Sequence, residues 1–264
     1  MSNSDATILF DVEEQIARIR FNRPAALNAL DRTMAEDLLT ICKRIRASQD
    51  IRVVVISGEG RAFMAGGDLD YFKVDLAAAA EAAPTVIDPL HKALSILTNL
   101  PQLIIASVHG AVAGAGVSLA LACDLSIAAE GTRFNLAYSR IGASPDGSAS
   151  WSLPRMVGLH KALELTLLAE TFDAAEAQRL GIITRVVPAE ELAAETEVLV
   201  QRLVTGPSLA FAKTKQLMRA SFARTMEEQM LAERESFIAC AKSVDFVEGV
   251  SAFFDKRPPQ FLGK

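Results

Sequence analysis

Cysteine is scarce in this sequence: Cys42, Cys123 and Cys240 are the only three. They are singly placed, odd in number and set in apolar or helical surroundings, so no zinc-ligand spacing and no disulfide framework is present, and a cytoplasmic location is expected. Excess positive charge is missing as well. A formal net charge of −5 over 264 residues argues against a nucleic-acid partner, because such binding rests on phosphate neutralisation, although a local basic pocket for an anionic ligand is not excluded. Met1 to Asp5 has neither a positive stretch nor an apolar one, so no secretory signal is expected. Leu103 to Cys123 carries no formally charged side chain over a length that could span a bilayer. Gly110, Gly114 and Gly116 interrupt it, Ser107 and His109 are polar, and it divides into a β-branched half and a leucine/alanine half. A buried strand, a tight loop and a buried helix account for it, and no membrane partner is expected.

What the sequence does have is apolar mass. Half of its residues are hydrophobic, enough for a substantial core in one large or two unequal domains. Two glycine-rich stretches stand out, Gly58 to Leu69 and His109 to Ser118. Each follows a β-branched or aliphatic run (Arg52 to Ser57, Leu103 to Val108) and each leads into a helical pattern. Two strand–glycine loop–helix units can aim two free backbone N–H groups at one point. Such a pair of donors forms an oxyanion hole, in which a thioester carbonyl can be enolised or attacked.

The remaining elements follow from periodicity and caps. Ala6–Asp11 and Gln15–Phe21 read as a hairpin, with Arg23-Pro24 breaking the second strand, and Asp31 caps a helix running to about Ser48. The alanine-rich Leu76 to Ala83 reads as poorly specified. A helix is expected over Val86–Leu100, with Pro89 in its first turn, and another over residues 117–123. Leu125–Ala129 is a strand, Arg133–Leu136 a short extended piece and Ile183–Val187 a further strand. The chain turns all-helical near residues 200–205, around Thr205-Gly-Pro207. Strands alternating with helices imply right-handed crossovers and a largely parallel sheet.

Several motifs compete for the chemistry. A dinucleotide fingerprint starting at Gly114 fails, because its third glycine position is Leu119. Gly116-Val-Ser-Leu-Ala120 is one substitution from a nucleophile elbow, with Asp146 and His160 following in the order of a serine triad; the plainer reading packs Ser118 inside its helix. Asp146 lies among small residues in Arg140-Ile-Gly-Ala-Ser-Pro-Asp-Gly-Ser-Ala-Ser-Trp151, where it is either a lone working carboxylate or an ordinary turn or cap. His109, at a strand end, reads as structural and His160 as a surface residue, while His91 heads a helix face that can point toward the loops.

Taken together, the motifs resemble the enoyl-CoA hydratase/isomerase (crotonase) superfamily over essentially the whole length. The matching segments are Phe21-Asn-Arg-Pro-Ala-Ala-Leu-Asn28, Gly60-Arg-Ala-Phe-Met-Ala-Gly-Gly-Asp-Leu69 and Val112-Ala-Gly-Ala-Gly116 through Cys123-Asp124. Leu153-Pro-Arg-Met-Val-Gly158, Ala174 to Gly181 and Glu248-Gly-Val-Ser-Ala-Phe-Phe-Asp-Lys-Arg257 match too. The Ser-Pro-Asp-Gly loop and the ending up to Phe261 look most like ring-1,2-epoxyphenylacetyl-CoA isomerases and related 3-enoyl/2-enoyl-CoA isomerases, which would mean fatty-acid or phenylacetate breakdown.

The fold this resemblance implies is α/β: a crotonase-like β-β-α spiral core (residues 1–203) and a helical C-terminal trimerisation part (204–264), assembling as a homotrimer or a hexamer of paired trimers. The implied substrate is an acyl-CoA thioester, with no cofactor beyond that CoA moiety and no metal. Carried over by position, Gly67 and Ala115 would supply the oxyanion N–H groups, and Ala65, Asp68 and Leu69 would lie near the adenine. Arg23, Ala25 and Leu27 would line the pantetheine and phosphate side, with Lys256 a weaker phosphate candidate.

The departures matter most. Where hydratases of this family carry two glutamates, this chain has Ser118 and Tyr138, whereas Asp146 falls where family isomerases and dehalogenases keep their single carboxylate. The expected reaction is therefore a double-bond shift with Asp146 as acid/base, in a pocket shaped by Ser118 and Tyr138 and dried by Ile141 and Trp151. Three alternatives stay open: hydration by Asp146 alone, hydrolysis or dehalogenation using Asp146 with His91, and a CoA-binding protein without activity.

Overall fold

Runs of β-branched residues with nothing polar to expose pair most readily with each other, and they do so here in a computed structural model that describes residues 6–73 and 77–264. In chain order the N-terminal half contains β1 (Ile8–Glu13), β2 (Ile16–Phe21), α1 (Arg32–Ala47), β3 (Val53–Gly58), α2 (Asp70–Lys73), α3 (Ala79–Asn99) and β4 (Leu103–Val108). After these come β5 (Ala111–Ala113), α4 (Ala115–Ala122), β6 (Leu125–Ala129), β7 (Arg133–Asn135), α5 (Ala149–Val157) and α6 (Leu159–Leu168). The chain ends with β8 (Phe172–Asp173), α7 (Ala174–Arg179), β9 (Arg185–Val187), α8 (Leu192–Val204), α9 (Ser208–Ala220), α10 (Met226–Ala241) and α11 (Val244–Asp255).

The main sheet has six strands in the order β1-β2-β3-β4-β6-β9; β1 and β2 form the antiparallel hairpin and every other pair is parallel, as the alternation implied. Helices cover both faces. Met34, Leu38 and Ile45 of α1 and Leu90, Leu94 and Leu97 of α3 bury with Ile19, Val54, Ile56 and Ile104 on one face. On the other, Val200 and Val204 of α8 close over Ile16, Val53, Val55 and Ile105. The Asp31 carboxylate accepts from the Met34 amide and starts α1 as expected.

A smaller sheet, β5-β7-β8, was not foreseen. Its first strand is three residues hidden within the second glycine loop, and Arg133–Asn135, read only as an extended piece, pairs parallel with it. Three further boundaries differ. α3 begins at Ala79 rather than Val86, because alanine's helix propensity carries the helix through Pro84 and Pro89; Leu76 lies outside the described residues. α4 begins at Ala115 rather than residue 117, and β9 covers only Arg185–Val187. Among the described residues no helix is long and apolar enough to cross a membrane.

The C-terminal helices dock through charge as well as apolar contact. Lys215 of α9, with its side chain 5 % exposed, pairs with Asp124 at 2.7 Å and donates to the Gln102 carbonyl at 2.9 Å, while Arg219 takes the other Asp124 oxygen at 2.7 Å. Burial lowers the tendency of the Lys215 ammonium to hold its proton, and the Asp124 carboxylate opposes that. Asp124→Asn keeps the shape but strands a buried cation, so denaturant unfolding should show a loss of roughly 3 kcal/mol. A variant as stable as the parent would mean that α9 docks without this pair. α10 buries no residue within the single chain, and Phe237, Phe253 and Phe254 of α10 and α11 are exposed.

Candidate active site

The two glycine loops meet because one residue cannot bear a side chain. A Cβ on Gly116 would lie 2.3 Å from the Met64 carbonyl oxygen, so only glycine lets α4 press against the first loop. Parallel bridges join Met64 to Val112 and Leu30 to Gly67. Gly114, at φ +47, turns the chain into α4; a methyl group built on it would lie 3.5 Å from the Gly66 Cα and 4.0 Å from the Tyr138 hydroxyl. The loops are thus side by side with Tyr138 against them.

Ala115 is the first residue of α4, where an amide has no intrahelical acceptor. Neither the Ala115 amide nor the Gly67 amide donates to an acceptor among the described residues. A methyl group on Gly67 would meet nothing within 4 Å, so the side-chain side of that residue is open. Two unspent donors therefore lie on touching loops.

Asp146 is brought to the same place by three hydrogen bonds. The Tyr138 hydroxyl donates to its Oδ1 at 2.5 Å, the buried Ser118 hydroxyl donates to its carbonyl at 3.0 Å, and the next amide, Gly147 N–H, donates to His91 Nε2 at 3.1 Å. Burial, and the Asp146 carboxylate beside it, push the Tyr138 phenol well above the usual tyrosine range, so it stays a proton donor at neutral pH. Asp146 Oδ2 has no protein donor among the described residues. The cap reading of Asp146 fails, because its side chain caps nothing; α5 starts after Ser148 at φ +68 with no side-chain cap. The serine-triad reading fails with it: Ser118 Oγ is buried against the Gly114 and Asp146 carbonyls and makes no hydrogen bond to His160.

The other expected site residues differ in what holds them. The Arg23 guanidinium is held by Asp68 at 2.8 Å and Asp31 at 3.3 Å and donates to the Ala29 carbonyl, so its charge braces the loop over the first glycine stretch. Asp68 is spent in the same pair. Ala25 and Leu69 are exposed, Ala65 and Leu27 half-buried, with Leu27 at φ +52. Lys256 is exposed in a left-handed turn ending α11. Ile141 and Trp151 do not dry Asp146 within the chain: they are 56 % and 46 % exposed, and the Arg155 guanidinium stacks on the Trp151 ring at 4.0 Å.

One residue was passed over. Asn28, fully buried at φ +57, donates to the Glu59 and Ala62 carbonyls and accepts from the Arg23 amide, tying that loop to the first glycine stretch. Its signal was an asparagine at a strand-to-helix turn, a residue that tolerates left-handed backbone.

A spiral α/β core with two adjoining glycine loops, free amides and a half-buried acid-bearing turn defines the crotonase class of fold. Residues 11–264 match the family described as enoyl-CoA hydratase/isomerase, and the chain belongs to that family. A probable enoyl-CoA hydratase of Rhodobacter capsulatus is 38 % identical over 98 % of both chains. A 1,2-epoxyphenylacetyl-CoA isomerase of Escherichia coli is 36 % identical over 97 % of this chain and 98 % of that one. Among solved structures, an enoyl-CoA hydratase from Polaromonas sp. JS666 superposes with a TM-score of 0.91 at 33 % identity, over 96 % of this chain and 99 % of that chain.

Proposed function

We propose that this chain shifts a carbon–carbon double bond in an acyl-CoA thioester, converting 3-enoyl-CoA to 2-enoyl-CoA, with Asp146 carrying the proton. The carrying observation is the Tyr138–Asp146 hydrogen bond of 2.5 Å. It leaves Oδ2 as the oxygen available to substrate, and by resemblance Tyr138 and Ser118 stand where a hydratase of this family carries its two glutamates. The thioester oxygen accepts from the Gly67 and Ala115 amides, each contributing about 3 kcal/mol to the transition state. Asp146 Oδ2 takes the proton from C2, and the C–H electron pair forms the enolate. The enolate then returns its electrons, a C2–C3 double bond forms, and the former C3–C4 pair takes the proton from Asp146 at C4. Acid–base chemistry of this kind draws on no cofactor beyond the CoA of the substrate.

Hydrolysis through His91 is disfavoured, because the Nε2 lone pair that would activate water already accepts from Gly147 N–H. Tyr138→Phe removes a charge-assisted donor worth about 1.5–3 kcal/mol. Steady-state assays of 3-enoyl-CoA should then show kcat lower by about 10–100-fold with KM little changed; an unchanged kcat would remove Tyr138 from the mechanism. The exposed apolar residues of α10 and α11, Phe237, Phe253 and Phe254 among them, support a homotrimer or a pair of trimers. Light scattering should return the trimer or hexamer mass, and a monomer mass would contradict this. Buried Cys42 and Cys123, both free and with thiols pushed up to about 12 by desolvation, suit a cytoplasmic enzyme.

A further inference from the structure

We infer that the substrate's acyl chain ends in an anionic group, a carboxylate above all, received by a basic cavity next to Asp146. This deepens the acyl-CoA reading above and rests on it. A cavity of about 1000 Å³ opens between α3, the turn leading into α5, and α9. His91, Asp146 and Gly147 form part of its wall. These are the residues whose hydrogen bonds hold the acid in place, so a chain whose C2 lies at Asp146 meets this space next. Gly67, Ala115 and Tyr138 do not line it, which makes it an annex of the site rather than the thioester position.

The charge in this cavity is unbalanced. Asp146 is the only carboxylate among the described residues that line it, against four lysine and arginine side chains. Lys215 and Arg219 share the single Asp124 carboxylate. Lys213, half-buried, has no acceptor among the described residues, and Arg224 reaches only the neutral Gln229 Oε1 at 3.2 Å. The Ser148 hydroxyl, also on the wall, is buried without any partner.

A methyl-ended tail would desolvate two cations and give them nothing in return. A terminal carboxylate would give both a charged acceptor, by charge-assisted bonds in a partly enclosed space where they count for more than in water. Leu94, Leu209 and Ala212 on the same wall suit the methylenes in between.

The test is calorimetric binding of unreactive saturated thioesters: adipoyl-CoA against hexanoyl-CoA, then longer pairs of matched length. The protein should bind the carboxylate-tailed member at least tenfold more tightly at one of these lengths. Lys213→Gln/Arg224→Gln should erase that preference, and Lys213→Arg should keep it. Equal affinity within every pair would overturn the proposal. So would equal weakening of both members in the double variant, because the two cations would then be serving the CoA phosphates. A melting curve accompanies each variant; if the double variant is unfolded, Arg224→Gln alone is read by the same criteria. Binding does not require turnover, so a preserved preference with no double-bond shifting in any substrate would sink the isomerase reading and leave this one standing.

Discussion

Asp146→Asn should reduce conversion of 3-enoyl-CoA by about 10²–10⁴-fold, the range that a positioned acid/base supplies. Asparagine can still accept the Tyr138 hydrogen bond through its amide oxygen, and the backbone contacts from Ser118 and to His91 do not involve the changed atoms. The loop should therefore stay where it is while its proton carrier is lost. Binding of a saturated acyl-CoA, measured by calorimetry, should change little. Retained turnover would show that another group moves the proton. Loss of binding together with turnover would show that Asp146 holds the ligand instead of transforming it.

Ala115→Pro removes the other half of the device. At the first position of a helix, proline is well tolerated, since the amide it lacks has no intrahelical acceptor and its fixed φ suits the helix. The substitution therefore deletes one N–H donor with little demand on the backbone. Losing one oxyanion donor should cost about 10²–10³-fold in kcat. Ala115 is buried, so thermal melting has to accompany the assay. A folded variant with undiminished kcat would mean that the thioester oxygen lies elsewhere. A comparable loss at both Asp146 and Ala115 is expected, because in the proposed mechanism neither group works alone: the acid would remove a proton only from a carbon whose enolate the amides stabilise.

What could be read in the sequence and what could not divide along physical lines. β4 and β6 lie where their apolar runs placed them, and Asp31 caps α1, because a buried strand and a helix start are written in neighbouring residues. The glycine loops were legible for the same reason: only glycine permits the turn at residue 114 and the contact at residue 116. The surroundings of Asp146 were legible only through the family resemblance, which grouped Ser118, Tyr138 and His91 with it. The Tyr138 and Ser118 hydroxyls reach it, and His91 reaches the next amide, across folded distance, and nothing in a local pattern says which side chain a turn aspartate will meet. The Asp124–Lys215–Arg219 cluster escaped notice similarly, since lysine and arginine on a helix usually face water. The pairing of Arg23 with two aspartates was equally out of reach, since Asp31 and Asp68 lie 8 and 45 residues further along the chain.

The most direct measurement is the fate of deuterium when pure 3-enoyl-CoA is incubated with the enzyme in D₂O, with the products followed by NMR. A single carboxylate working between two carbons should give 2-enoyl-CoA as the first product, with solvent deuterium entering at C4 in competition with the hydrogen lifted from C2. If the protein leaves 3-enoyl-CoA untouched and only adds water to 2-enoyl-CoA, the proton shuttle described for Asp146 is wrong.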